Sequence, residues 1–272
     1  MSAKSRPRPA GQYTVLASYY DALNAGADYK AIAKFCDAAV KKWGLPESKL
    51  AVDLACGTGS VALELSALGY DMIGIDRSEQ MLAAAASKAP PSGANILWLQ
   101  QDMAEFELYG TVGLIVSTLD SINYLTEPYK LERCFKLVHN YLDPGGLFVF
   151  DVNTKYKFEK VYACRDFVLE SDGVLCAWRS EYSPRSGICK FYLSIFTDEG
   201  GGLWRRQDEV QTERYWSGRK LRAMLADAGF ELCAVVDGYN PEALEGAPAD
   251  KLPLLSISDC DERHCYVARA VK

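Results

Sequence analysis

Five apolar runs, LAVDLA (50–55), DMIGID (71–76), ILWLQQD (96–102), VGLIVST (112–118) and GLFVFDV (146–152), alternate with segments of helical period. Continuous apolar strands are buried on both faces, and strands separated by helices run parallel. The pattern therefore predicts a parallel sheet covered by helices on both sides. The intervening helices are SVALELSALG, ending at Gly69, then EQMLAAAASKA, capped by Ser78 with Met81 and Leu82 inward, then EPYKLERCFKLVHNYLDPGG, closed by Asp143-Pro144-Gly145-Gly146. Ahead of the first strand, DYKAIAKFCDAAVKKW places Ile32, Phe35, Cys36, Ala39 and Val40 at helical spacing, and Gly44-Leu45-Pro46 ends that helix.

Near residue 155 the period changes. FVLE, GVLCAWRSEY, GICKFYLSIFT and LWRRQDEVQTERYW alternate in steps of two, separated by Ser171-Asp172-Gly173, Ser183-Pro184-Arg185-Ser186-Gly187 and Asp198-Glu199-Gly200-Gly201-Gly202. These are turn signals between short strands, and they predict an antiparallel β-meander inserted over residues 155–215. A helix, SGRKLRAMLADAGF, then leads back to two last strands, ELCAVVDG and HCYVARAV, with a Pro- and Ala-rich loop at 241–261. The fold class is α/β: a seven-stranded, mostly parallel sheet with helices on both faces. The core is expected to cover 13–154 and 216–272, the insertion 155–215 to be a lid over a substrate, and residues 1–12 to form a disordered tail.

The 272 residues suit one core domain with an insertion. A net charge of -6 lacks the broad basic footprint of a nucleic-acid binder and argues against such a partner. The opening MSAKSRPRPA is basic with no apolar run after it, so no secretory signal is expected. No apolar stretch approaches the ~20 residues that span a bilayer, so no membrane association is expected. Nine cysteines without a C-x-x-C pair point to a reducing cytoplasm, and two histidines supply a metal site poorly, so no metal is expected.

The first strand runs into AVDLACGTGS. A Gly-x-Gly turn between a strand and a helix exposes backbone N–H groups at a positive helix end. Gly57, Gly59 and Ala62 fit the dinucleotide spacing, which leaves a phosphate, a dinucleotide or another nucleoside open. Three acids narrow the choice. Asp53 precedes the turn, where a pyrophosphate gains nothing from a carboxylate but a cationic amine does. Asp76 ends the second strand at the distance of a ribose-binding acid. Asp102, in QDM, can accept from an adenine amino group. S-adenosylmethionine carries an amine, a ribose and an adenine, and no phosphate. An NAD-dependent dehydrogenase is disfavoured by Asp53 and QDM, and because Tyr156 and Lys160 lie past strand five.

VDLACGTGS, GIDRSEQML, QDM and LDPGGLFVFDV together resemble the class I S-adenosylmethionine-dependent methyltransferases. SYYDALN, STLDSINYL, DVNTKYKFE and LWRRQDEVQTERYW extend the resemblance over roughly residues 13–240. They are similar to the YqeM-type bacterial branch and, more distantly, to amino-sugar N-methyltransferases. The resemblance implies a Rossmann-like fold with S-adenosylmethionine as cofactor. It implies that Gly57, Thr58 and Gly59 line the methionine part, with Asp53 near its amine. Asp76 takes the ribose hydroxyls, Arg77 and Met81 flank the adenine, Asp102 and Met103 close over it, and Ser117 lies beneath the sulfonium as backbone. Tyr20 matches a tyrosine that reaches over the cofactor. The arginine that follows it in the amino-sugar enzymes is missing from DALNAGADY, which makes Tyr29 the candidate for the cofactor carboxylate. Ile32 stands where the YqeM-type pattern often has tryptophan.

Methyl transfer needs alignment of nucleophile, methyl and sulfur, and an ammonium acceptor must also lose a proton. Asp120 and Tyr20 are the catalytic candidates; Asp120 can orient or deprotonate an acceptor, or cap the turn after it. Asn123, Tyr124, Asp151 and Asn153, at strand carboxyl ends, and Arg206 in the insertion are the substrate candidates, with turn or surface roles as the alternative. His139, His264 and Cys56 read as packing residues. DSINY stands where enzymes acting on planar nitrogens carry NPPY. The expected activity is methylation of an N or O atom of a small molecule by a cytoplasmic monomer or homodimer. A tRNA or protein methyltransferase, or a non-catalytic adenosine-cofactor-binding protein, is the alternative.

Overall fold

A computed structural model describes residues 12–90, 93, 95–171, 173–245, 258 and 260–272. Residues 1–11 of the expected tail, and 246–257 and 259 of the expected loop, lie outside the described residues.

The described residues open with helical turns at Leu16–Tyr19 and α1 (Tyr20–Leu23), followed by α2 (Tyr29–Trp43). It continues through β1 (Leu50–Leu54), α3 (Ser60–Ala67), β2 (Asp71–Asp76), α4 (Glu79–Ala86), β3 (Leu97–Gln100), β4 (Val112–Ser117), α5 (Pro128–Tyr141) and β5 (Leu142–Asn153). Side chains start several helices: Asp28 accepts from the Ala31 N–H at 2.9 Å, and Ser78 accepts from that of Met81 at 3.2 Å. Helical turns at Lys157–Val161 and Tyr162–Cys164 then open the expected insertion, before β6 (Phe167–Ser171), β7 (Val174–Ser183), β8 (Ile188–Gly200) and β9 (Leu203–Arg214). The last elements are α6 (Gly218–Asp227), β10 (Phe230–Asp237), α7 (Glu242–Glu245), which falls inside the expected loop, and β11 (Arg263–Ala270).

One seven-stranded sheet has the order β10-β11-β5-β4-β1-β2-β3, with β11 antiparallel to both its neighbours. Alternation along each strand feeds two cores. Ala51, Leu114, Leu147 and Val149 face α2 and α3, where Phe35, Cys36, Ala39 and Leu65 are buried. Val52, Ile115, Phe148 and Phe150 face α5 and α6, where Leu131, Phe135, Val138 and Leu225 are buried. Phe150 stacks between Phe148 and Tyr266, at centroid distances of 4.6 and 4.9 Å, each contact adding about 1 kcal/mol beyond burial.

The second sheet is the meander β6-β7-β8-β9. Its apolar inner face meets two other segments. Val174, Cys176, Leu193 and Ile195 pack against Leu16, Tyr13, Tyr20 and Leu23 at the start of the chain. Cys189 and Phe191 pack against Phe158, Val161 and Tyr162. On β9 the buried alternate positions are polar: Glu209, Gln211 and Glu213.

Asp151, expected at the cleft rim, is instead completely buried on β5. Its carboxylate accepts from the Tyr239 hydroxyl, from the Arg263 guanidinium on β11 and, at 2.9 Å, from the Asp120 N–H after β4. It joins three segments, and removing one partner of a buried pair strands the other charge. Asp151→Ala is expected to lower the unfolding free energy by about 3 kcal/mol in urea titration. A loss below about 1 kcal/mol would show that the cluster does not hold the strands together.

Candidate active site

Between β1 and α3 the chain turns through Ala55, Gly57 and Gly59, all at positive φ (62°, 54° and 73°). The turn is pinned where the Cys56 N–H donates to the Ile75 carbonyl at 2.9 Å and the Gly57 N–H donates to Asp76 Oδ2 at 2.9 Å. Asp76 Oδ1 accepts from the Ser78 N–H at 2.8 Å. The two glycines serve different purposes. A Cβ on Gly57 would meet nothing within 4 Å, so its backbone borders open space. A Cβ on Gly59 would stand 2.3 Å from the Trp98 ring. Trp98, paired with Gly74 across β2 and β3, lies over both Gly74 and Gly59. Gly59 therefore makes room for an indole and does not line the cleft, contrary to the sequence expectation.

The cleft beside this turn has a volume of about 880 Å³ to its open mouth. Tyr20, Tyr29, Gly57, Thr58, Asp76, Arg77, Met81, Asp102 and Met103 line it, as the sequence suggested, together with Tyr13, Ser60, Thr118, Leu119, Ser121 and Leu125. Two expected residues lie behind the wall. Ser117 is completely buried with its hydroxyl unpartnered, and its neighbours Thr118 and Leu119 form the surface. Asp53 is buried on β1, and one carboxylate oxygen has no hydrogen-bond partner. Burial, reinforced by the charge of Asp76, pushes its carboxyl up to about 7.

The cleft is polar at one corner. Thr58 donates to Asp21 at 2.6 Å, Lys88 pairs with Asp21 at 2.6 Å, and Lys88 also donates to Ser60 at 3.0 Å. Toward the other end Met81, Met103 and Leu125 offer apolar surface. An open glycine backbone, a carboxylate at the end of β2 and an unpaired buried carboxylate on β1 fit a ligand with hydroxyls, an amine and a flat apolar ring.

A second cavity, of about 1080 Å³, adjoins the first, and Tyr13, Tyr20, Leu119 and Tyr124 border both. It lies under the meander and carries Asp120, Glu213, Glu262, Lys157 and Arg263. Asp120 sits at the N-cap of the Ser121–Tyr124 turn at positive φ, but its side chain does not cap that turn. Its carboxylate accepts from Arg263 at 2.8 Å. Glu213 has one oxygen bonded to the Asn153 amide at 2.9 Å. Burial, then the nearby charge of Asp120, pushes its carboxyl well above the usual range. Burial lowers the Lys157 ammonium in the same way.

Asn123 and Asn153, expected to touch substrate, are fully buried and support Glu213 from behind. The Asn123 amide donates to the Arg214 carbonyl at 2.8 Å and accepts from the Asn153 N–H at 2.9 Å. Arg206 lies on the exposed outer half of β9, paired with Asp208 at 2.9 Å, and lines neither cavity. Sequence reasoning missed Tyr13, Glu209, Gln211, Glu213, Lys157 and Arg263. For three of them a signal existed: Glu209, Gln211 and Glu213 stand at i, i+2 and i+4 of a strand and so share one face.

Residues 51–146 match the family model described as a methyltransferase domain. The chain is 33% identical to the Bacillus subtilis methyltransferase-family protein YqeM, over 84% of this chain and 90% of that protein. It is 28% identical to the dTDP-3-amino-3,4,6-trideoxy-alpha-D-glucopyranose N,N-dimethyltransferase of Streptomyces venezuelae, over 84% of this chain and 91% of that one. A solved S-adenosylmethionine-dependent methyltransferase from Clostridium acetobutylicum superposes with a TM-score of 0.78 at 27% identity, covering 96% of this chain and 99% of that one.

The two glycines separate binding from stability. Gly57→Ala adds a methyl group at positive φ into the open cleft, and is expected to weaken S-adenosylhomocysteine binding at least about tenfold, with about 1 kcal/mol of lost stability. Gly59→Ala drives a Cβ into Trp98 and is expected to cost about 2–4 kcal/mol of stability. Calorimetric titration and urea unfolding of both variants measure the two effects; the opposite ranking in stability would contradict this division.

Proposed function

The chain belongs to the class I S-adenosylmethionine-dependent methyltransferases, and we propose that its acceptor is a small molecule methylated on an amine nitrogen. The observation that carries this reading is the second cavity. It shares Tyr13, Tyr20, Leu119 and Tyr124 with the cofactor cleft and sets three carboxylates, Asp120, Glu213 and Glu262, against two cations, Lys157 and Arg263. Its size suits a small ligand, and an acidic lining favours a cationic one. The name of the Streptomyces venezuelae relative, an N,N-dimethyltransferase of an amino sugar, agrees with an amine.

The bound cofactor supplies an electrophilic methyl group on sulfur. Asp76 would take the ribose hydroxyls, Met81 and Met103 would flank the adenine with Arg77 and Asp102 beside it, and Asp53, behind the wall, would act on the amine by its charge without touching it. Thr58, Tyr29, Ser60 and the nearby Lys88 would hold the carboxylate, which supplies the cation absent from DALNAGADY. Tyr20 is the group between the two cavities. Burial, then Asp120, pushes its hydroxyl far up, so it stays a neutral phenol that orients the acceptor and excludes water. Tyr124 does the same from the other side.

The proton acceptor is Glu213. Asp120 is engaged by Arg263, whereas Glu213 has no ion-pair partner among the described residues and binds protons more readily than an ordinary carboxylate. An ammonium entering the chamber pairs with the ionised Glu213, which then takes its proton and frees the lone pair. Asp120 holds the local field and the acceptor's orientation.

Glu213→Gln is expected to lower kcat about a hundredfold and leave the KM for cofactor within about threefold. Because the carboxylate is the active form, wild-type kcat rises with pH as Glu213 ionises, and that limb flattens in the variant. Acceptors are found by following S-adenosylhomocysteine production from a panel of amines, their N-acetylated counterparts, and hydroxyl and carboxylate compounds that lack an amine. Turnover of the amines alone is the expected result. Equal turnover of the acetylated forms, or turnover confined to hydroxyl or carboxylate acceptors, would overturn the amine reading.

A further inference from the structure

Residues 13–20 run along both cavities, and something has to hold them there. Tyr13 and Tyr20 border the cofactor cleft and the acceptor chamber alike. Tyr13 sits at a φ of 56°, a conformation that an aromatic residue adopts only when its surroundings impose it. The Ser78 hydroxyl donates to the Tyr13 carbonyl at 2.9 Å, so the segment also lies against the loop that carries Asp76.

The opposite anchor is Glu209. It is completely buried on β9 and has no salt-bridge partner among the described residues. Its charge is met by peptide groups: the N–H groups of Tyr13, Thr14, Val15 and Leu16 donate to it at 2.7, 3.2, 3.1 and 3.2 Å, and the Gln211 amide donates at 2.9 Å. Successive N–H groups converge because Tyr13 is left-handed and Val15 is right-handed helical, a backbone concavity suited to an anion. The phenols close the circuit. Tyr13 donates to Tyr124 at 2.6 Å, and Tyr124 donates to Gln211 Oε1 at 2.9 Å. A buried carboxylate is costly unless its hydrogen bonds are made, so the segment and Glu209 hold each other.

We propose that Glu209 is a latch: it positions residues 13–20 over the cofactor cleft, and opening of this contact speeds the exchange of cofactor and its demethylated product. Glu209 touches neither cavity. It is a positioning residue that acts through Tyr13 and Tyr20, and it makes the acceptor lid and the cofactor gate one mechanical unit. The inference rests on the reading of the Gly57 cleft as the cofactor site.

The test is the dissociation rate of S-adenosylhomocysteine from Glu209→Gln and Val15→Pro, with amide exchange of residues 13–20. The glutamine keeps the shape but has one acceptor oxygen and turns an NH₂ toward the peptide donors. The proline removes one of the four N–H donors at a φ of -84°, which the ring tolerates. For Glu209→Gln the off-rate and the KM for cofactor are expected to rise about tenfold, with a smaller change in kcat at saturating cofactor. Exchange at residues 13–20 speeds up while β1 and β4 amides stay protected. Val15→Pro shifts the off-rate in the same direction by a smaller factor and adds nothing on top of Glu209→Gln. An off-rate and KM within about twofold of wild type in folded Glu209→Gln, even with a lower Tm, would reduce Glu209 to a structural residue. Should that variant not fold, an unchanged off-rate in Val15→Pro overturns the latch. Wild-type protein that binds no S-adenosylhomocysteine would overturn the cleft assignment instead.

Discussion

Three polar side chains buried along one face of a strand need hydrogen-bond partners, because an unmet donor, acceptor or charge in the interior is costly. On β9 these are Glu209, Gln211 and Glu213. Glu209 is met by the peptide N–H groups at the start of the chain, Gln211 by Tyr124, and Glu213 by Asn153. Each solution draws a distant segment onto the meander: residues 13–16, the turn after β4, and the end of β5. What results is a chamber beside the cofactor cleft, with its polar groups held by hydrogen bonds.

The same requirement explains why the charged residues divide as they do. Asp151 and Arg263 are committed to one another and to Tyr239, and they join β5 and β11. Asp120, at the edge of that cluster, is fixed by Arg263 and reaches the chamber. Among the described residues Glu213 has an amide and no cation for a partner, and its carboxyl is raised well above the usual range by burial, which is why the proposed proton acceptor is this group. The cofactor side is built differently. There the backbone does most of the shaping, through Gly57 and the carboxylate of Asp76, and Asp53 stands behind the wall with an oxygen unmet.

Strands and helices were legible because their signals are local. Continuous apolar runs located the first sheet and alternation in steps of two the second, and Ser78 marked the start of a helix as a cap should. Most of the cofactor cleft was legible for a related reason: it is built from turns at the ends of successive strands, so residues near in sequence meet in space. Gly59 was misread because the reason for its missing side chain, Trp98, lies in another strand. The chamber was hardest to see. Arg263 meets Asp120 across 143 positions and Glu209 meets Tyr13 across 196, and no local pattern encodes such a pair. The alternation Glu-Val-Gln-Thr-Glu did encode a polar strand face, but a polar face ordinarily points to solvent, and here it points inward. Asn123 and Asn153 were placed one layer too far forward; they are buried behind Glu213, where contact with an acceptor was expected.

The proposed reaction has the methyl group pass across the boundary formed by Tyr13, Tyr20, Leu119 and Tyr124, which line both cavities. The crystal structure with S-adenosylhomocysteine tests this most directly. The expected result is an adenine between Met81 and Met103, ribose hydroxyls on Asp76, and the sulfur facing Tyr20 and the chamber that holds Glu213. A sulfur directed away from that boundary, or a cofactor bound outside the cleft, would contradict it.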